Sequence, residues 1–145
     1  MTRVYQEINE PYSAAQMFEL VNDINAYPQF VPDCIDTGIL QRENNLILAY
    51  IEIEKMGFKK QFTTINRLDA PNRIEISLID GPFKHLVGTW TFTPISVGQC
   101  KITFDLTFEF KNKLLDVTFT PVFKEIMKNM VVAFTDRAKQ LYGKK

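Results

Sequence analysis

The sequence has one histidine and two cysteines among 145 residues, and its formal net charge is zero. One histidine, His85, and two cysteines as distant as Cys34 and Cys100 do not make up a metal site. A disulfide between the cysteines is not expected in a reducing compartment. The balanced charge gives no reason to expect DNA or an anionic membrane as a partner, although peripheral membrane contact stays open.

Long apolar runs are missing as well. No segment approaches the roughly 18 apolar residues that cross a bilayer, and residues 1–6 contain no signal-peptide core. These absences predict a cytoplasmic protein without a transmembrane segment. No repeat, low-complexity stretch or linker interrupts the chain, which predicts a single domain over residues 1–145.

Phenylalanine, in contrast, is abundant, with 12 residues. Alternation of apolar and polar residues, with turn signals about every ten residues, predicts strands over most of the chain. Short breaks between them favour hairpins and a meandering antiparallel sheet. The predicted strands are 3–8, 35–42, 46–56, 59–68, 73–80, 84–93 and 101–110.

Two helical regions flank the six consecutive strands. Ser13 is a good N-cap for a helix that continues to about Ile24. After it, each proline of the 27–32 segment restricts the residue before it, so Tyr27 and Val31 are expected to end helical turns in a short, stiff step. Apolar residues at three- and four-residue spacings from Phe119 to Leu141 predict a long final helix. Pro121 marks either a break before that helix or its first turn.

This order of elements is α+β: a curved antiparallel sheet with one apolar face, covered by one long amphipathic helix. Whether sheet and helix close completely is open. Thr64 and Asn66 fall on the inward side of their strand, and a buried amide without a partner costs roughly 1–3 kcal/mol. Asn66 therefore bonds to protein, water or a ligand. An apolar cavity with a few polar groups is one reading; a filled core with both side chains bonded to backbone is the other.

Catalytic groups are scarce. His85 has the strand parity opposite to its inward-facing neighbours, so it is expected to face solvent, and a cysteine–histidine pair would need contact geometry that a sequence does not give. Asp80 is the one titratable group whose parity points toward the interior. No glycine-rich phosphate loop is present. The sequence predicts a protein that is not an enzyme.

Several segments together resemble one family. Residues 23–34 read Asp-Ile-Asn-Ala-Tyr-Pro-Gln-Phe-Val-Pro-Asp-Cys, and the segments 80–84, 90–94, 108–114, 122–125 and 129–134 agree with them. They are similar to the coenzyme Q-binding, polyketide-cyclase-like branch of the START superfamily, over essentially the whole chain. The resemblance implies a helix-grip (START/Bet v 1-like) fold: about seven strands around the long C-terminal helix, with two short helices after the first strand. It also implies an open cavity.

The resemblance implies two functions. In the first, a hydrophobic ligand, an isoprenoid quinone such as ubiquinone, lies between sheet and helix and serves respiration. Thr64 and Asn66 would meet its head group, and no cofactor is obligatory. The expected binding residues are Tyr27, Phe30, Phe62, Thr64, Asn66, Trp90, Phe92, Phe108, Met127, Met130 and Phe134.

In the second function, the protein is the toxin of a toxin–antitoxin pair that binds the large ribosomal subunit and blocks its association with the small one. Candidate contacts are Lys55, Lys59 and Lys60 at one hairpin, together with Lys139, Lys144 and Lys145 near the C-terminus; the bland alternative is a solvated charged surface. A third reading, a cyclase or hydrolase, would need a titratable group such as Asp80 facing the cavity.

Overall fold

The computed structural model describes residues 1–143, so the candidate contacts Lys144 and Lys145 lie outside the described residues. Seven strands and a long final helix are present, which confirms the α+β prediction. A short 3-10 turn (Ile24–Ala26) precedes the second helix. The elements are β1 (Thr2–Glu10), α1 (Ala14–Asn22), α2 (Tyr27–Phe30), β2 (Cys34–Glu43), β3 (Leu46–Lys55), β4 (Phe58–Asp69), β5 (Arg73–Asp80), β6 (Phe83–Ser96), β7 (Gln99–Phe110) and α3 (Lys113–Tyr142).

The strands form one antiparallel sheet in the order β1-β7-β6-β5-β4-β3-β2. Strands β2 to β7 follow one another as hairpins, as the short breaks predicted. The first strand does not join β2, because α1 and α2 come between them, and pairs instead with β7, where Val4 lies opposite Leu106. The curved sheet therefore wraps around α3 with β1 and β2 at its edges.

The core lies between the inner face of the sheet and α3. Alternate residues of β7, from Cys100 to Phe110, are buried, as are Leu86, Gly88, Trp90 and Phe92 on β6. The ring of Phe123 on α3 packs against that of Phe108, with ring centroids 4.8 Å apart. Leu141 was predicted on the apolar stripe of α3, but it is 46% exposed.

The start of α1 matches its sequence signal. Ser13 Oγ accepts a hydrogen bond from the backbone N–H of Gln16 at 3.1 Å, and the Ser13 N–H donates to Gln16 Oε1 at 2.9 Å. Two of the helix's unpaired N-terminal donors are satisfied in this capping box. The cap fixes where α1 leaves β1 and so sets its position over the sheet.

The residues before Pro28 and Pro32 agree only in part with the prediction that both end helical turns. Tyr27 has helical torsions (φ −52°, ψ −44°) and begins α2, so the expectation that it ends a helical turn is wrong. Pro28 lies in the first turn, where the missing N–H is not needed. Val31 is extended (φ −85°, ψ 119°) and ends α2 before Pro32, as predicted.

Both readings of Pro121 are wrong, because the residue lies inside a continuous α3 that begins at Lys113. The Asn112 side chain caps this earlier start by accepting from the Leu115 N–H at 2.7 Å. Proline removes the N–H that would bond the carbonyl of Val117. Val117 is 73% exposed, so water can bond that carbonyl instead. Within residues 1–143, no helix has the length and apolarity that a membrane span requires.

Candidate functional site

A small apolar cavity lies between α3, the short helices and the middle of the sheet. Its volume is about 60 Å³, whereas small-molecule sites usually measure about 300–1,000 Å³. One buried water needs roughly 10–15 Å³. The cavity therefore has room for a few water molecules, and most of the interior is filled by the protein's own side chains.

The predicted binding residues divide into two groups. Seven of them line the cavity, namely Tyr27, Phe62, Thr64, Asn66, Trp90, Met127 and Met130. Phe30, Phe92, Phe108 and Phe134 do not. Further apolar wall residues, on β3 and β5, were not predicted, although the alternation of those strands could have indicated them. They include Ala49, Ile51, Ile74 and Ile76.

The four predicted residues outside the cavity close the core around it. Phe92 packs edge to face on Phe18 of α1, with ring centroids 5.8 Å apart. Phe30 packs on Phe134 at 5.6 Å and so fastens α2 to α3. Inward parity was correct for the strand residues among them. A row of inward residues, however, extends past both ends of the cavity, and parity does not show where the cavity stops.

The two buried polar residues of β4 bond to each other. Thr64 Oγ1 donates a hydrogen bond to Asn66 Oδ1 at 2.9 Å, and the residues are only 5% and 8% exposed. Asn66 therefore has a hydrogen-bond partner, as predicted, and the partner is a side chain. The alternative prediction, that both residues bond to backbone groups, is wrong. Both side chains line the cavity, and together they are its polar wall.

Among the described residues, Tyr27 is the one cavity-lining side chain with a titratable oxygen. Its hydroxyl donates to the carbonyl of Val21. Burial, with smaller contributions from Cys34 and Asp23, raises the pKa of Tyr27 well above its usual value. The proton is thus held in a structural hydrogen bond, and Tyr27 is poorly suited to proton transfer.

Asp80 does not face the cavity, contrary to the parity argument. A bulge in β5 inserts Ile79 between two pairs: Leu78 lies opposite Thr64, and Asp80 lies opposite Thr63. One extra residue moves every following side chain to the other face of the sheet. Asp80 is accordingly exposed, so the wall lacks the carboxylate that a cyclase reading required.

His85 and the two cysteines lie in different environments. His85 Nε2 lies 3.1 Å from Thr107 Oγ1 on the outer face of the sheet, the side predicted for it. Cys34 and Cys100 are free thiols and buried. Burial raises the pKa of Cys34 to about 11, so it stays a protonated thiol at neutral pH.

A candidate interaction surface lies where the β3–β4 hairpin meets the start of α3. Phe58 brings the two together, with its ring centroid 4.3 Å from that of Phe119. Three large apolar side chains are exposed here: Met56 by 84%, Leu114 by 77% and Val117 by 73%. We call this the hairpin-end surface; its residues are Met56, Lys59, Lys60, Lys111, Lys113, Leu114 and Val117.

The three lysines predicted at the β3–β4 hairpin differ in their ion pairing. Lys55 Nζ lies 3.4 Å from Asp33 Oδ2 and 3.9 Å from Glu125 Oε1, so it is already paired. Lys59 is exposed and Lys60 half-buried, and neither is in an ion pair with any residue from 1 to 143. Lys111, which precedes α3, and Lys113, its first residue, are exposed as well. These two were not predicted because they lie far along the chain from the hairpin.

Comparison with known families and proteins agrees with this fold. The family model described as polyketide cyclase / dehydrase and lipid transport matches residues 11–135. The ribosome association toxin RatA of Escherichia coli K12 is 50% identical over 133 residues, which are 92% of this chain and 84% of RatA. The persistence and stress-resistance toxin PasT of Escherichia coli O6:H1 has the same identity and coverage.

More distant proteins share the architecture. A mitochondrial coenzyme Q-binding protein, COQ10 homolog B of Xenopus laevis, is 28% identical over 137 residues, which are 92% of this chain and 56% of that protein. The Zhui aromatase/cyclase of a Streptomyces species superposes with a TM-score of 0.86 at 14% identity, over 96% of this chain and 94% of the other. A START superfamily protein of Mycobacterium smegmatis gives 0.82 at 24% identity, over 96% and 98%. At these identities the two structures show the fold alone.

Proposed function

Because this chain belongs to the polyketide cyclase / dehydrase and lipid transport family, with the START-like helix-grip fold, we propose that it is a non-enzymatic protein that associates with ribosomes. The observation that carries the proposal is its 50% identity to RatA, a protein named for ribosome association, over 92% of the chain. The relative named for coenzyme Q binding is 28% identical. A ribosomal role would place the protein's action in the cytoplasm.

The interior supports a role that depends on the outer surface. Its cavity of about 60 Å³ is several times smaller than a typical small-molecule site. The wall offers Tyr27 as its one titratable group among the described residues, and that hydroxyl is already bonded to Val21. Acid–base chemistry needs a group within reach of the reacting atoms and free to exchange a proton.

The hairpin-end surface is the part of the molecule that we assign to the ribosome. Exposed apolar side chains grouped with lysines are typical of interaction surfaces. Lysines that lack a carboxylate partner can neutralise RNA phosphates, and Met56, Leu114 and Val117 can pack on an apolar patch between them. We propose that this surface binds the large ribosomal subunit and hinders its association with the small one.

Sucrose-gradient sedimentation tests the proposal. Purified subunits are mixed with excess protein under conditions in which they join. We expect the protein to sediment with the large subunit and the joined-ribosome peak to shrink. Unchanged subunit joining, with no protein in the large-subunit fractions, would refute the function.

A charge-matched pair of variants tests the surface. Lys59→Glu combined with Lys113→Glu should weaken co-sedimentation and increase its sensitivity to salt. The control is Arg42→Glu combined with Arg67→Glu, because both arginines are exposed and lie at the end of β3 opposite the β3–β4 turn. Equal losses in the two proteins would indicate a general charge effect and would remove the hairpin-end surface from the proposal.

A second function, binding of an isoprenoid quinone, is favoured by the apolar cavity and its polar pair. Met127 and Met130 on its wall are flexible and can move to enlarge it, and Thr64 and Asn66 could bond a quinone carbonyl. Lipid extraction and mass spectrometry of the purified protein, followed by incubation with ubiquinone, test this. Protein that carries no quinone and takes none up would exclude it.

A further inference from the structure

A second concavity lies on the outside of the molecule, between α2 and the C-terminal half of α3. Its volume is about 380 Å³, within the usual range for small-molecule sites. It shares no lining residue with the interior cavity. Phe134 packs on Phe30, which lines this groove, and on Trp90, which lines the interior cavity. One side of the groove is formed by Gln29, Phe30 and Pro32 of the α2 region. The other side is formed by α3 and includes Asn129, Val132, Asp136, Arg137 and Gln140.

Arg137 is the central cation of this groove, and its bonding is incomplete. Its guanidinium carbon lies 5.0 Å from the centre of the Phe30 ring. Nη2 donates to Gln29 Oε1 at 3.5 Å, and Nη1 donates to Gln140 Oε1 at 3.4 Å. Both bonds are long compared with the common 2.9–3.0 Å. Nε is buried and has no hydrogen-bond partner in residues 1–143.

Among the described residues, Arg137 also lacks a counter-ion. None of the ion pairs among residues 1–143 includes it, although the side chain is partly buried. Burial of a charge is unfavourable unless the charge is paired. Guanidinium has five donors in a planar fork that matches the two oxygens of a carboxylate. The groove thus holds a positioned cation, stacked on an aromatic ring, with donors left over.

We propose that this groove binds the carboxylate group of a small organic acid, which Arg137 holds with two hydrogen bonds. The body of the ligand lies against Pro32 and Val132, and the latter side chain is 56% exposed. Carboxamide groups of Gln29 and Gln140 accept from Arg137, so their NH2 groups can donate to the same carboxylate.

The charges around the groove select a singly charged ligand. Asp136 also lines it, so the described residues give the groove one cation and one anion, with neutral amides beside them. A phosphate monoester carries nearly two negative charges at neutral pH and would be repelled by Asp136. A carboxylate carries one charge and fits the fork of Arg137.

NMR titration of the isotope-labelled full chain with sodium benzoate, at ionic strength held constant with sodium chloride, tests the site. We expect saturable shifts of the backbone signals of Gln29, Phe30 and Arg137. Arg137→Gln should weaken benzoate binding by about tenfold or more. The matched control is Lys139→Gln, which removes one exposed charge from the same helix and should bind as the wild type does.

Asp136→Asn keeps the proposal testable even if Arg137→Gln fails to fold. This variant removes the competing anion and should tighten benzoate binding about two- to fivefold. Absence of saturable shifts, equal binding by Arg137→Gln and wild type, or unchanged binding by Asp136→Asn would each overturn the proposal. Saturation by inorganic phosphate or a single-stranded RNA oligonucleotide, but not by benzoate, would reassign the groove to phosphate and overturn it as well.

Discussion

Thr64 and Asn66 lie two residues apart on β4, point to the same side of the sheet, and are joined by a 2.9 Å hydrogen bond from hydroxyl to amide oxygen. An apolar environment strengthens such a bond and makes each group costly to leave unpaired. The pair therefore reduces the need of the interior for a polar ligand. This is consistent with the small size of the cavity, about 60 Å³.

Replacement of Thr64 by valine should destabilise the protein by about 1–3 kcal/mol, because Asn66 Oδ1 loses its donor while remaining buried. Urea denaturation monitored by tryptophan fluorescence measures the change. Thr63→Val, on the other face of the same strand, is the control and should change stability far less. Similar losses in both variants would contradict the role of the pair.

Met127→Ala should enlarge the interior cavity and lower the free energy of unfolding by about 2–5 kcal/mol. An apolar probe such as benzene should bind in the enlarged space and recover part of the loss, which thermal unfolding with and without benzene measures. Leu141→Ala is the matched control, since that leucine is on the same helix and 46% exposed. A benzene effect of equal size in both variants would argue against the cavity.

Gly81→Ala should be more harmful than Gly98→Ala. Both glycines have positive φ, at 151° and 77°, so alanine strains the backbone at either turn. A Cβ at Gly81 would also lie 2.7 Å from Phe62 Cβ, whereas nothing lies within 4 Å of one at Gly98. We expect Gly98→Ala to lower the free energy of unfolding by about 1–2 kcal/mol. Gly81→Ala should lower it by about 1–3 kcal/mol more. Equal denaturation midpoints would contradict the contact.

Glu10→Gln should raise the melting temperature at pH 7 and change it little at pH 3. Burial, and secondarily the charge of Asp136, raise the pKa of Glu10 above its ordinary value. Folding thus favours the protonated form of Glu10. The stability of the folded state that depends on this proton is lost as pH rises through the folded-state pKa. Glutamine cannot ionise and avoids the loss. A lower melting temperature for Glu10→Gln at pH 7, relative to a Glu43→Gln control, would contradict the sign.

Elements with regular patterns could be predicted from the sequence. The alternation from Cys100 to Phe110 gave the inner face of β7 correctly, because the side-chain period of a strand is two. Ser13, predicted as an N-cap, located the start of α1. Such signals are local, so they survive without knowledge of the neighbouring elements.

Features that depend on other parts of the chain could not be predicted in this way. The bulge at Ile79 reverses parity within β5, and no residue type there announces it. Pro121 is typical of a helix boundary, but α3 continues through it, and the turn that loses the hydrogen bond lies at the surface, where Val117 is exposed. The groove at Arg137 combines residues of α2 and α3 that are about a hundred positions apart.

The pairing of β1 with β7 also determines when the sheet can be completed during synthesis of the chain. Arg3 and Asp105, which form a salt bridge with a 2.9 Å contact across these strands, are 102 positions apart. At the usual synthesis rates of about 5–20 residues per second, β1 waits roughly 5–20 s for its partner strand. During that interval β1 is an unpaired strand, with Val4 and Ile8 as apolar residues still to be buried, and the sheet gains its seventh strand only when translation has passed β7.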